Sequence, residues 1–207
     1  MEEKKYNIGY LDEEEQWRLT ARNGLISDFK VSVLDLPQSS DMIWPVVLEK
    51  ELDALIVDFR LFESGEVTYN GNDIIKEVQR HNLHFPLFIM TSYENDAFSQ
   101  CEDVLIIRDK CMFQNEEELV RFKHTLTGRL DAYYNKENSC KQRLLELNKL
   151  VTLTQPQKEE KFKIELYLAE LDLDNSPALN LLSSGYTEEM ESMLRLARDI
   201  SDSLKNH

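Results

Sequence analysis

The sequence predicts an α/β fold: a doubly wound parallel sheet, followed by an all-α C-terminal region. Three observations lead there. Five short apolar runs recur between residues 5 and 125, and helical patterns separate them. The runs are apolar at successive positions, as strands buried on both faces of a parallel sheet require. From Glu116 onward the pattern turns helical and stays so.

Taken in order, Tyr6–Leu11 reads as a first strand, and Glu14–Ile26 as a helix with apolar Trp17, Leu19, Ala21 and Leu25. Phe29–Leu34 is a second strand with partial alternation. Asp41–Leu52 reads as a helix, with Asp41 as its N-cap and Pro45 in its first turn. Ala54–Val57 is a third strand, Asn72–His81 a helix after Gly71, Pro86–Met90 a fourth strand and Val104–Ile107 a fifth. The polar stretch from Leu61 to Gly71 is the one long loop. Five strands with their helices make a single doubly wound domain.

Beyond it, Leu119, Leu126, Leu130, Tyr133, Cys140, Leu144, Leu147 and Val151 recur at spacings of three and four, interrupted by Lys123 and Glu137. That is a heptad seam, which serves either an intermolecular coiled coil over about 119–151 or packing on the sheet domain. Gly128 weakens the helix by about 1 kcal/mol relative to Ala. Thr154-Gln155-Pro156 breaks the pattern, and Lys158–Leu171 and Glu188–Leu204 read as further helices. The expected domains are residues 1–127 and a helical extension, 128–207.

Composition narrows the class. At 207 residues, 42% apolar and 30% charged, the chain has material for a real core. Three widely spaced cysteines, Cys101, Cys111 and Cys140, argue against a disulfide framework or zinc site. The start lacks a secretory apolar stretch, and no apolar run approaches the roughly 20 residues of a membrane span. A cytoplasmic protein is expected. A net charge of −15 repels phosphate backbones and disfavours nucleic-acid binding.

In a doubly wound sheet, ligands sit beyond the carboxyl ends of the strands. Asp12 and Glu13 follow the first apolar run, Asp58 the third, Thr91 and Ser92 the fourth, and Lys110 the fifth. Clustered carboxylates repel one another unless a cation sits among them, and Mg²⁺ suits a few carboxylates with retained waters. A lysine and a hydroxyl facing that ion would hold a phosphoryl group, with Asp58 as its nucleophile.

These residues, within YLDE, LIVDF, GNDIIKEVQR, FPLFIMTS and VLIIRDK, give residues 5–125 a resemblance to the receiver domain of two-component response regulators. The resemblance implies a flavodoxin-like sheet of order 2-1-3-4-5. It implies Asp12, Glu13 and Asp58 as Mg²⁺ ligands together with the backbone carbonyl of Arg60. It further implies Asp58 as phosphoacceptor, Thr91 as the hydroxyl that bonds the phosphoryl oxygen, Ser92 as the small residue beside it, and Lys110 as the phosphate's partner. A histidine kinase or another phosphodonor would supply the group. Arg60 and Tyr93 fall at positions that tune dephosphorylation, and their bulk implies slow hydrolysis. The chain departs from the family's pattern at three places: Phe62 and Cys111 stand where proline is usual, and Ile107 where an aromatic switch residue is usual. The threonine-to-aromatic relay is therefore not expected to operate in its usual form.

The C-terminal region shows no catalytic motif, and no stand-alone enzyme is recognised. Its expected role is signalling by protein contacts, as a homodimer through the helical segment or to an output protein. Three alternatives remain open: a receiver-like interaction module that is never phosphorylated, a DNA-binding regulator, and an effector enzyme with an unrecognised helical catalytic domain. The second rests on NLLSSGYTEEMESMLRLARDIS, whose second helix carries nearly as many acids as bases.

Overall fold

The computed structural model describes residues 5–92, 97, 99, 101 and 103–174. The chain divides into two compact units, Met1–Ser139 and Cys140–His207.

In the first unit, β1 (Asn7–Leu11), β2 (Lys30–Leu34), β3 (Ala54–Asp58), β4 (Leu87–Thr91) and β5 (Ile107–Asp109) form one sheet. All pairings are parallel, in the order β2-β1-β3-β4-β5. Between them run α1 (Glu15–Leu25), α2 (Ile43–Glu49) and α3 (Gly71–His81), and the sheet is followed by α4 (Glu116–Asn148). The apolar runs feed both faces because side chains alternate along a strand. Leu55 and Val57 of β3, with Leu87 and Ile89 of β4, join the core under α2 and α3. Ala54, Ile56, Phe88 and Met90 join the core under α1 and α4. Full burial of each such Leu, Ile or Phe is worth about 1.5–3 kcal/mol, so both layers hold the sheet.

Several elements differ from expectation, each for a local reason. Val104–Ile106 forms a 3₁₀ turn because the Asp103 carboxylate accepts the Leu105 N–H at 2.9 Å; the fifth strand starts only at Ile107. Asp41 does not cap α2. It lies in a 3₁₀ turn, Ser40–Met42, where the Ser39 hydroxyl binds it, and α2 begins at Ile43 with no side-chain cap. α3 begins at Gly71 with a capping box: the Asn70 side chain accepts the N–H groups of Asn72 and Asp73, and Asp73 accepts that of Asn70.

The first half of the heptad seam is spent within the first unit. Leu126 and Leu130, with Phe122, are buried in the core of the α1/α4 layer, and Leu119 and Tyr134 pack against it. α4 runs unbroken through residue 127, and the core contact of Leu130 carries the first unit past that point.

In the second unit, α4 ends at Asn148, and Thr154 opens α5 (Gln155–Glu170) through a capping box with Gln157. Thr154-Gln155-Pro156 thus starts a helix, with Pro156 in the first turn where its missing N–H is harmless. Arg143 of α4 grips Glu160 of α5 with two hydrogen bonds, Nε–Oε1 at 2.8 Å and Nη2–Oε2 at 2.9 Å. The helix expected over Glu188–Leu204 lies outside the described residues. No helix among the described residues is long and apolar enough to cross a membrane.

Candidate functional site at the carboxyl edge of the sheet

Asp12 follows β1 directly, Asp58 and Thr91 are the last residues of β3 and β4, and Lys110 follows β5. The register places Asp58 beside Met90 and Thr91 beside Asp109, so parallel pairing brings all four strand ends to one edge. Asp12, Asp58, Thr91 and Lys110 are all buried.

The lysine is the hub. Lys110 Nζ lies 2.6 Å from Asp58 Oδ1 and 3.0 Å from Asp12 Oδ2, with Glu14 Oε1 at 3.9 Å. The Trp17 ring on α1 roofs it, with its centroid 5.6 Å from Nζ, within cation–π range. Burial disfavours the charged lysine, but Asp58 and Asp12 outweigh it and raise the Lys110 pKa, so the ammonium persists at neutral pH. Burial raises the Asp58 pKa, an effect the ammonium only partly offsets. Glu13 is pushed up to about 8, first by burial and then by the charge of Asp58. Crowding adds to burial: Asp58 and Asp12 share the Lys110 ammonium, and the charges of both raise Glu13 further.

Backbone and neighbouring groups hold the acids in place. Asp58 Oδ2 accepts the Arg60 N–H at 2.5 Å, and Asp12 Oδ1 accepts that of Glu14 at 3.0 Å. The buried Tyr10 hydroxyl donates to Asp12 Oδ2 at 2.9 Å. The Arg60 side chain turns to Glu63, 2.6 Å away. Gly71 stands against the back of the site, where a Cβ would meet the Asp58 carbonyl oxygen at 2.2 Å. Tyr10, Trp17 and Gly71 were not singled out by sequence. Tyr10 reads there as one more apolar strand residue, and Gly71 as helix punctuation.

The donor set fits a hard divalent cation. Carboxylate oxygens of Asp12, Glu13 and Glu14 lie within 4.8 Å of one another. Glu13 Oε2 is buried and has no hydrogen-bond partner among the described residues. An orphaned carboxylate oxygen costs free energy until a cation or donor reaches it. Oxygen ligands and an excess of negative charge suit Mg²⁺.

At the departures from the usual pattern, Ile107 is buried in the core under α3, and Phe62 is about half exposed on a 3₁₀ turn. Cys111 is exposed, and its N–H donates to Asp109 at 2.8 Å, capping the 3₁₀ turn Lys110–Gln114. Ser92 is exposed beside Thr91; Tyr93 lies outside the described residues.

No protein-family model matches the sequence, and no curated protein does. Among solved structures, the RcsB response regulator of Salmonella typhimurium is 18% identical, with a TM-score of 0.42 over 86% of this chain and 98% of that one. A structure of two RcsB dimers bound to two parallel DNAs is 18% identical, with a TM-score of 0.44 over 88% and 100%. Overlays this loose add nothing to what the strand order shows. Five parallel strands in the order 2-1-3-4-5, with the acids and the lysine gathered at their carboxyl edge, give the first unit the receiver fold.

Proposed function

We propose that this chain is a response regulator that accepts a phosphoryl group on Asp58 from a histidine kinase or another phosphodonor, with Mg²⁺. The observation that carries this reading is the Lys110 ammonium bridging Asp58 at 2.6 Å and Asp12 at 3.0 Å beside the orphaned Glu13 oxygen. In the transfer, an Asp58 carboxylate oxygen attacks phosphorus and forms the new P–O bond. The bond from phosphorus to the donor, an imidazole nitrogen or an acyl oxygen, breaks, and its electron pair leaves with the donor. Asp12, Glu13, Asp58 and the Arg60 carbonyl would hold the ion, which neutralises phosphoryl charge when bound. Lys110 pairs with a phosphoryl oxygen, and the Thr91 hydroxyl donates to another. Such positioning and charge neutralisation are most of what phosphoryl transfer requires.

The output runs through residues 128–207 by protein contacts, in the cytoplasm. Leu130 roots this extension in the receiver core, so pairing between copies falls to later seam positions such as Leu144 and Val151. Phe113, in the turn that begins at Lys110, meets Phe122 of α4 edge-on with centroids 6.4 Å apart, and this contact would carry a change at the site to α4. Incubating the protein with acetyl phosphate and MgCl₂ tests the reading: intact mass rises by one phosphoryl group, and EDTA prevents it. An unchanged mass leaves an unphosphorylated interaction module. Salt-sensitive DNA binding by the phosphorylated protein would shift the output to nucleic acid.

A further inference from the structure

We propose that Tyr10 is a positioning residue for Mg²⁺, acting through Asp12; the inference rests on the metal site of the proposed function and adds a residue to it. Tyr10 sits on β1, two positions before Asp12, with its ring fully buried. Phe113, in the turn that begins at Lys110, meets that ring edge-on with centroids 6.0 Å apart. A buried tyrosine hydroxyl needs a partner, and here the partner is Asp12 Oδ2 at 2.9 Å. A carboxylate offers about four lone-pair positions. Three donors occupy Asp12: the Tyr10 hydroxyl and the Lys110 ammonium on Oδ2, and the Glu14 N–H on Oδ1. One position remains, on Oδ1, and the hydroxyl fixes the plane in which it points. Without that hydroxyl, Oδ2 keeps only a flexible ammonium that Asp58 also claims, and the carboxylate is free to turn toward it. Groups that orient a metal ligand from behind typically govern affinity by about 10–100-fold.

The test is calorimetric titration of the full chain with MgCl₂, for the wild type and for Tyr10→Phe. The variant loses one atom and leaves Asp12 paired with Lys110. The expected result is a Mg²⁺ dissociation constant raised about 10-fold or more, with an unchanged phosphorylation rate once Mg²⁺ saturates. In an Asp12→Asn background, the same substitution produces no further shift. A wild type that binds Mg²⁺ and a Tyr10→Phe variant that binds it equally or more tightly overturns the inference alone. A wild type with no Mg²⁺ binding overturns the metal reading beneath it as well. If Tyr10→Phe fails to fold, wild-type protein carrying fluorinated tyrosine supplies the reading: the Tyr10 resonance shifts along the Mg²⁺ binding curve, and a resonance indifferent to Mg²⁺ overturns the inference.

Discussion

The two ends of one sheet both gather acids, and they treat them in opposite ways. At the amino end, Asp53 Oδ2 accepts the Asn7 N–H at 2.6 Å, and Oδ1 accepts the Tyr134 hydroxyl. Tyr134 stacks on Tyr6, whose hydroxyl donates to Asp131 at 2.6 Å, and Tyr133 accepts from Asn82 at 2.9 Å. Each acid there meets neutral donors, and the result fastens α4 to the sheet. At the carboxyl end, Asp12 and Asp58 share Lys110, and one buried oxygen of the neighbouring Glu13 has no hydrogen-bond partner among the described residues. An acid met by neutral donors builds structure; a cluster of buried acids around one ammonium is left short of positive charge.

Substitutions at the two ends should therefore separate chemistry from stability. The largest effect falls on Asp58→Asn, which abolishes phosphorylation by acetyl phosphate, read by intact mass, while the protein stays folded. Lys110→Ala strands two buried carboxylates and should cost about 3–5 kcal/mol in denaturant unfolding without Mg²⁺. Gly71→Ala drives a methyl group into the Asp58 carbonyl, where no side chain can yield. It should cost about 1–3 kcal/mol and slow phosphorylation, because the shift falls on the backbone of Asp58, the proposed phosphoacceptor. Tyr134→Phe, at the opposite end, should cost about 1 kcal/mol and leave the phosphorylation rate untouched. An equal loss of rate in Tyr134→Phe and Gly71→Ala would erase the contrast between the ends.

The contrast also has a pH signature. Glu13 holds its proton in the folded protein up to about 8, but releases it in the ordinary carboxylate range once unfolded. The folded state therefore binds more protons across that window, and stability falls as pH rises through it. Asp58, also raised, acts in the same direction. In EDTA, the thermal midpoint should be lower at pH 8 than at pH 5, and Mg²⁺ should reverse the difference. A midpoint that rises with pH in EDTA would contradict the crowding of acids.

Much of this was legible because the site is written at strand ends. Acids immediately after apolar runs place Asp12 and Asp58 at one edge before any coordinates exist, and strand order follows from the receiver resemblance. What escaped was chemistry that periodicity does not encode. Asp103 winds an apolar run into a turn, so VLII reads as a strand when only its last residue is one. Spacings of three and four are the same whether a helix packs on its own sheet or on another copy, and Leu126 and Leu130 pack on their own sheet. The Asn70–Asp73 capping box was there to be read, but the approach of Gly71 to Asp58 and the bond from Tyr10 to Asp12 exist only in three dimensions.

The most direct test of the central claim is chemical trapping. Borohydride reduces an aspartyl-phosphate to homoserine, so protein treated with acetyl phosphate and MgCl₂, then reduced and digested, reveals where the acyl phosphate formed. Homoserine at residue 58, abolished by EDTA, is the predicted result. Homoserine at another acid, or none at all in protein that binds Mg²⁺, would contradict the account.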